Sequence, residues 1–320
     1  EVGSLPPFNL KDDKVREMTF RVGMPQALLY HEFGRLWTAF FRGMDVEVTE
    51  SGATTRPVLD RGTALSIDES CLPLKVYLGH VDSLLSICSH IFVPRITQYY
   101  PGHYLCAKFA GLPDIVLNTF RLPPDRLISP NLVSRSSSAA LQAVHSVCRT
   151  LGIAPVTGQK AYHRALAQWR QNPSAAGRHS PGVKVAVVGH SYILEDTFFS
   201  EAIMSPLRAK GIIIVTSQDM PSKQLYKEAA PFCRDIYWQL SAKLAGAVRF
   251  FCRQDDIAGL ILVSSFGCGP DSLVNEYLEH HVLTGSGKPY MILNVDEHTG
   301  TAGILTRVEA FWDMAERRNH

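Results

Sequence analysis

Residues 184–216 read KVAVVGHSYILEDTFFSEAIMSPLRAKGIIIVT. Lys184–Val188 is almost continuously apolar, as a strand covered on both faces of a parallel sheet must be. Gly189-His190 then turns the chain, apolar residues recur at helical spacing near Thr197–Lys210, and Ile212–Thr216 is again strand-like. A strand, a helix and a second strand in this order form a parallel βαβ unit. The rhythm continues downstream with a helix near Ile236–Cys252, a strand at Gly259–Ser264, a helix near Ser272–His281, a strand at Tyr290–Val295 and a helix near Ala302–Met314.

The upstream half repeats the pattern. A strand at Thr19–Val22 leads through Gly23-Met24-Pro25 into a helix whose Leu29, Phe33, Leu36, Trp37 and Phe40 form one apolar face. Short strands are expected near Val46–Val48 and Ala64–Ile67. A helix follows from Ser70, burying Leu74, Leu78, Val81, Leu85 and Cys88, and then a strand at Ile91–Pro94. Ala139–Arg149 and Ala161–Arg170 are helical with no strand between them, and residues 171–182 have the composition of a linker. The expected architecture is α/β: two doubly wound Rossmann-like or flavodoxin-like parallel-sheet domains with a helical insert between them. Their bounds are an N-terminal extension at 1–17, a first domain at 18–130, a helical segment and linker at 131–182, and a second domain with a C-terminal helix at 183–320.

The 320 residues, 46% hydrophobic and 19% charged, suffice for two compact cores and exclude general disorder. A formal charge of +2 supplies no field for nucleic acid or an anionic membrane, so neither is expected as a partner. No apolar run approaches the roughly 18 to 20 residues of a membrane span. Seven cysteines, an odd number with no signal-peptide pattern, point to reduced thiols and a cytoplasmic location. Residue 1 is Glu rather than Met, which fits a trimmed start.

In an open parallel sheet, ligands gather where the loops leave the carboxyl ends of the strands. Cys71, Cys106 and Cys268 fall on such loops or on turns into helices. Cys88, Cys148, Cys233 and Cys252 lie in or beside helices and read as small apolar fillers. Cys71 and Cys268 open helices, with Pro73 and Pro270 suited to the first turn. A helix N-terminus favours thiolate, the form that a metal or an electrophile requires. Gly267 and Gly269 would let backbone approach a bulky group. Spacing alone leaves the chemistry open, because gaps of 35 residues (71 to 106) and 162 residues (106 to 268) match no local metal motif. His190 and His298 read first as loop hydrogen-bonders and second as ligand contacts. Asp68, Glu69, Asp296 and Glu297 read as helix caps or as acceptors orienting their neighbours, with capping favoured for Asp68. There is no CxxC pair and no GxGxxG, and GCGPDS lacks the Lys-Ser/Thr of a P-loop.

Five blocks in order carry a resemblance: RVGMPQALLYHEFGRLWTAFF, DESCLPLKVYLGHV, IFVPRITQYYPGHYLCAKFAGLPD, SSFGCGPDSLV and NVDEHTGTAGILTRVEAF. With them the chain resembles the acyl-CoA dehydratase activase-related proteins, relatives of the iron–sulfur subunits of 2-hydroxyacyl-CoA dehydratases. The likeness runs from about Thr19 to Ala315 and is weakest over 125–182. It implies that Cys71, Cys106 and Cys268 ligate a [4Fe–4S] cluster between the two α/β domains, leaving one iron without a cysteine. A related group carries two joined cubes on twice as many cysteines, which three matching positions do not provide. The implied role is a redox component taking low-potential electrons from an ATP-hydrolysing activase, with His190, Lys108 and His298 as donors near the cluster. The implied partners are that activase, a second copy or related second subunit, and an acyl-CoA or other small-molecule substrate. Two other classes stand beside it: a non-catalytic module that holds a cluster or metal, and a two-lobed small-molecule-binding protein using thiols or zinc.

Overall fold

The computed structural model describes residues 20–132, 137–171, 182–232 and 236–319. The N-terminal extension at 1–17, most of the 171–182 linker and Cys233 lie outside them. In the first lobe, β1 (Arg21–Met24) runs into α1 (Tyr30–Arg42), then β2 (Glu47–Glu50), α2 (Arg56–Leu65) and α3 (Leu72–Leu85). After these come β3 (His90–Phe92), β4 (Arg95–Ile96), α4 (Ala107–Ala110), α5 (Leu112–Phe120), β5 (Leu127–Ile128) and β6 (Asn131–Leu132). The sheet has the order β2-β1-β3-β5 and every pairing is parallel. β4 and β6 prolong the β3–β5 pair beyond Pro94 and Pro130, which have no N–H to give. Around those prolines the ladder is carried by Val93 N–H to Ile128 O (3.0 Å) and Arg95 N–H to Pro130 O (3.0 Å).

The strand expected at Ala64–Ile67 is instead the last turn of α2 and its exit. Packing decides it. A Cβ built on Gly62 would stand 1.8 Å from the Lys75 carbonyl oxygen, so α2 touches α3 backbone to backbone, and the short Ala64-Leu65 pair follows the helix that this contact fixes. α6 (Ser137–Thr150) and α7 (Pro155–Arg170) pack on the first lobe, where Val144, Val147, Leu151, Ala161 and Ala165 share a core with Val22, Phe40 and Phe41.

The second lobe comprises β7 (Lys184–Val188), α8 (Ser191–Leu194), α9 (Thr197–Ala209), β8 (Ile213–Thr216), α10 (Ser222–Ala229) and α11 (Gln239–Cys252), then β9 (Ile257–Ser265), α12 (Gly269–Leu278), β10 (Tyr290–Val295) and α13 (Thr301–Asn319). Its parallel sheet has the order β10-β9-β7-β8, with every residue of β7 buried. Both lobes are therefore wound alike: the first strand is central, the second lies on one side and the third on the other. The reversal beside β7 sets the loops after β7 and β9 next to each other. No described helix is long and apolar enough to cross a membrane.

The lobes meet over one continuous apolar core that includes Leu59, Leu72 and Val81 from the first and Val187, Ile193, Phe199 and Val263 from the second. Polar contacts stitch its edge. Leu72 N–H donates to Phe266 O (3.3 Å), Thr54 Oγ1–H to Asp196 Oδ2 (2.5 Å), and Lys243 Nζ pairs with Glu32 Oε1 (3.0 Å).

Candidate functional site

Cys71, Cys106 and Cys268 share one structural role: each is the N-cap residue of a helix, α3, α4 and α12 respectively, with extended backbone. Pro73 and Pro270 occupy first-turn positions, as the sequence leads one to expect. The first lobe brings Cys71 and Cys106, and the second brings Cys268 on the loop after β9. Gly267, at φ 76°, lets that loop lie against Cys71, and a Cβ there would stand 3.1 Å from Cys71 Cα. The Cys106 thiol feels the charge of Cys71, and so does that of Cys268. Tyr192, at the start of α8, lies within electrostatic reach of Asp271, Cys268, Cys71 and Cys106 together. The start of α3 and the loop carrying Cys268, almost two hundred positions apart in sequence, thus lie side by side.

None of the three cysteines caps its helix through sulfur, and the N–H groups of Leu74 and Phe109 donate instead to Cys71 O (3.0 Å) and Cys106 O (3.1 Å). The expected thiolates do not follow. Burial is the largest influence on all three and pushes each thiol up. Cys268 is pushed furthest, since Asp271 repels a thiolate there. Burial therefore favours the protonated thiols.

Asp271 anchors the polar side of the site. His190 Nε2–H donates to both carboxylate oxygens (2.8 and 2.9 Å), and Ser241 Oγ–H donates to Oδ1 (3.0 Å). Burial opposes ionisation of Asp271, but His190 and the hydrogen bonds from His190 and Ser241 outweigh it and hold the carboxyl below its ordinary range. The Tyr192 ring tilts against His190 at 5.0 Å, and burial raises its phenol well above the usual value, so the O–H persists. Two buried polar atoms nearby in the chain, Ser265 Oγ at the end of β9 and Asn275 Oδ1 on α12, have no hydrogen-bond partner.

Lys108 follows Cys106 in α4, and its charge acts on Cys71. His298 is exposed; its N–H donates to Asp296 Oδ1 (2.9 Å), and its charge acts on Asp296 and Glu297. Asp296 shapes its own turn by also accepting from Thr299 Oγ1. Glu297 pairs with Lys75 Nζ at 2.5 Å, side chains 13% and 4% exposed, across the lobes. Asp68 does not cap α3: Cys71 holds that position and Asp68 is exposed, as is Glu69. Gly269 has open space around it, so of the two flanking glycines only Gly267 answers to a close approach. Cys88 and Cys148 are buried in apolar cores and Cys252 packs against one, as fillers do.

Sequence reasoning passed over Tyr192, Asp271 and Lys75. Two signals were available: Asp271 stands three residues after a capping cysteine, and Lys75 interrupts an otherwise apolar stretch of α3.

Among the described residues, no three His, Cys, Asp or Glu side chains are grouped so as to hold a metal ion. Thiols at three separate helix starts are the donor type that an iron–sulfur cluster takes. A family model described as CoA enzyme activase uncharacterised domain matches residues 21–220, the first lobe and the second as far as β8 and the turn beyond it. Cys71, Cys106, His190 and Tyr192 fall inside the match and Cys268 beyond it. No curated protein matches the chain.

Proposed function

The chain belongs to the family of the CoA enzyme activase uncharacterised domain, and we propose that it is an iron–sulfur redox component of the 2-hydroxyacyl-CoA dehydratase type. The observation that supports this most is that three cysteines drawn from both lobes stand at helix starts, with the Gly267–Cys268 loop packed against Cys71. In this reading Cys71, Cys106 and Cys268 hold a [4Fe–4S] cluster. When bound, such a cluster supplies a one-electron centre and, at the iron without a cysteine, a Lewis-acid position.

The chain's own residues do the rest. The three sulfurs stand at helix N-termini, whose partial positive charge makes added negative charge easier to carry. Lys108 adds positive charge beside Cys71. Asp271, fixed by His190 and Ser241, keeps a carboxylate three residues beyond Cys268 and within electrostatic reach of it. Tyr192 keeps its proton and presents an O–H donor to whatever binds among the thiols. His190 donates its Nε2–H to Asp271 behind this layer, and His298 lies exposed on the loop after β10.

The partner in this role is an ATP-hydrolysing activase as electron donor, and the substrate an acyl-CoA or another small molecule bound in the cleft, with a second copy or related subunit completing the unit. The test is anaerobic reduction of the reconstituted protein by that activase. Bleaching of the visible absorbance that requires ATP supports the role. Cluster content without ATP-dependent reduction assigns the chain to a non-catalytic cluster-holding module instead.

A further inference from the structure

A concavity of about 740 Å³ opens between α1 and α7, on the first lobe and sharing no residue with the thiol site. Two facing helix stripes build it. On α1, Arg35, Ala39 and Arg42 recur at helical spacing; on α7, Ala161, Arg164 and Gln168 do the same. The alanines form the floor and the long polar side chains form the walls.

The groove carries an excess of positive charge. Arg21, Arg61, Arg95, Arg208 and Arg249 each pair with a carboxylate. Arg35, Arg42 and Arg164 make no ion pair among the described residues, although all three are exposed and line one cavity. The single carboxylate of the lining, Glu50, accepts from Thr38 Oγ1 (3.0 Å) and Gln26 Nε2 (3.3 Å). Three cationic groups and one anionic group leave a formal +2 on the lining. Three arginines lining one volume can offer guanidinium forks to the oxygens of linked phosphates, which such forks bind in pairs. The volume lies in the range of small-molecule sites, roughly 300–1,000 Å³, and exceeds what a bare diphosphate fills. Room remains for an organic group beside the Tyr30 ring.

We infer that the α1–α7 groove binds a small molecule bearing a diphosphate, with Arg35, Arg42 and Arg164 on the phosphate oxygens and Gln168 as a neutral donor at the rim. The inference is independent of any cluster. It is tested by calorimetric titration of the full chain at low salt with inorganic pyrophosphate, ADP and, as a control for charge alone, sulfate. Saturable one-to-one binding of pyrophosphate or ADP well ahead of sulfate is expected, and the Arg42→Ala/Arg164→Ala variant should weaken it by roughly tenfold or more. Equal affinity for the two ligands assigns the site to the diphosphate itself, and tighter ADP binding assigns it to a nucleoside diphosphate. Arg208→Ala, which removes an ion-paired arginine elsewhere, should leave binding unchanged, and circular dichroism checks that each variant is folded. Absence of saturable binding, parity with sulfate, or an unchanged affinity in a folded double variant would overturn the assignment.

Discussion

Gly267 meets two demands at once: a left-handed backbone and contact with the backbone of Cys71. Gly267→Ala should therefore cost about 1–3 kcal/mol in urea unfolding, while Gly269→Ala, with nothing within 4 Å, should stay within about 0.5 kcal/mol. Equal losses at both would contradict the contact. His80, fully buried, gives a pH prediction. Thr54 spends its proton on Asp196, so His80 Nε2–H must donate to Thr54 (2.9 Å) and Nδ1 must accept from Ser51 (2.8 Å), which requires the neutral ring. Burial accordingly lowers its pKa from 6.5 to about 4. Its contribution is complete above pH 6.5 and fades as pH falls toward 4, because the unfolded chain takes up the proton first; the amount is on the order of 3 kcal/mol. The raised pKa of Asp196 acts in the opposite direction, so the comparison must be with His80→Gln, whose unfolding free energy should fall less than the parent's between pH 7 and 4.5. An identical slope in both would exclude His80 as the source. The three cysteines were legible from their places at loop ends. Their protonation was not, because burial outweighs the helix terminus and burial is a property of the packed lobes.

Most strands and helices follow directly from apolar periodicity, since β7 and α1 are covered by neighbours in the way their patterns demand. The segment at 64–67 escaped because a glycine-to-backbone contact between α2 and α3 has no periodic signature. The pairing of α3 with the loop after β10 was equally silent, for Lys75 and Glu297 stand 222 residues apart. Removing one partner of a pair this buried leaves the other charge stranded. Glu297→Ala should lower stability by about 3 kcal/mol, and adding Lys75→Met should recover part of that loss. Urea denaturation of the two single variants and the double variant measures it, and strictly additive losses would show that the clasp is not coupled.

Joined by one apolar core, the two lobes present the same winding twice, and their loops place sulfur from each at a shared boundary. The pattern of alternating elements was enough to read two sheets. That the loop of Cys268 packs on Cys71 could be expected only through the family resemblance, because no spacing in the chain encodes contact between loops so distant in sequence. The central claim is that Cys71, Cys106 and Cys268 jointly hold one cluster, and iron and sulfide analysis after anaerobic reconstitution tests it most directly. The account predicts about four iron atoms per chain, lost in Cys71→Ala, Cys106→Ala and Cys268→Ala alike and retained in Cys252→Ala; a parent protein that takes up no iron, or triple-site variants that keep the full complement, would contradict it.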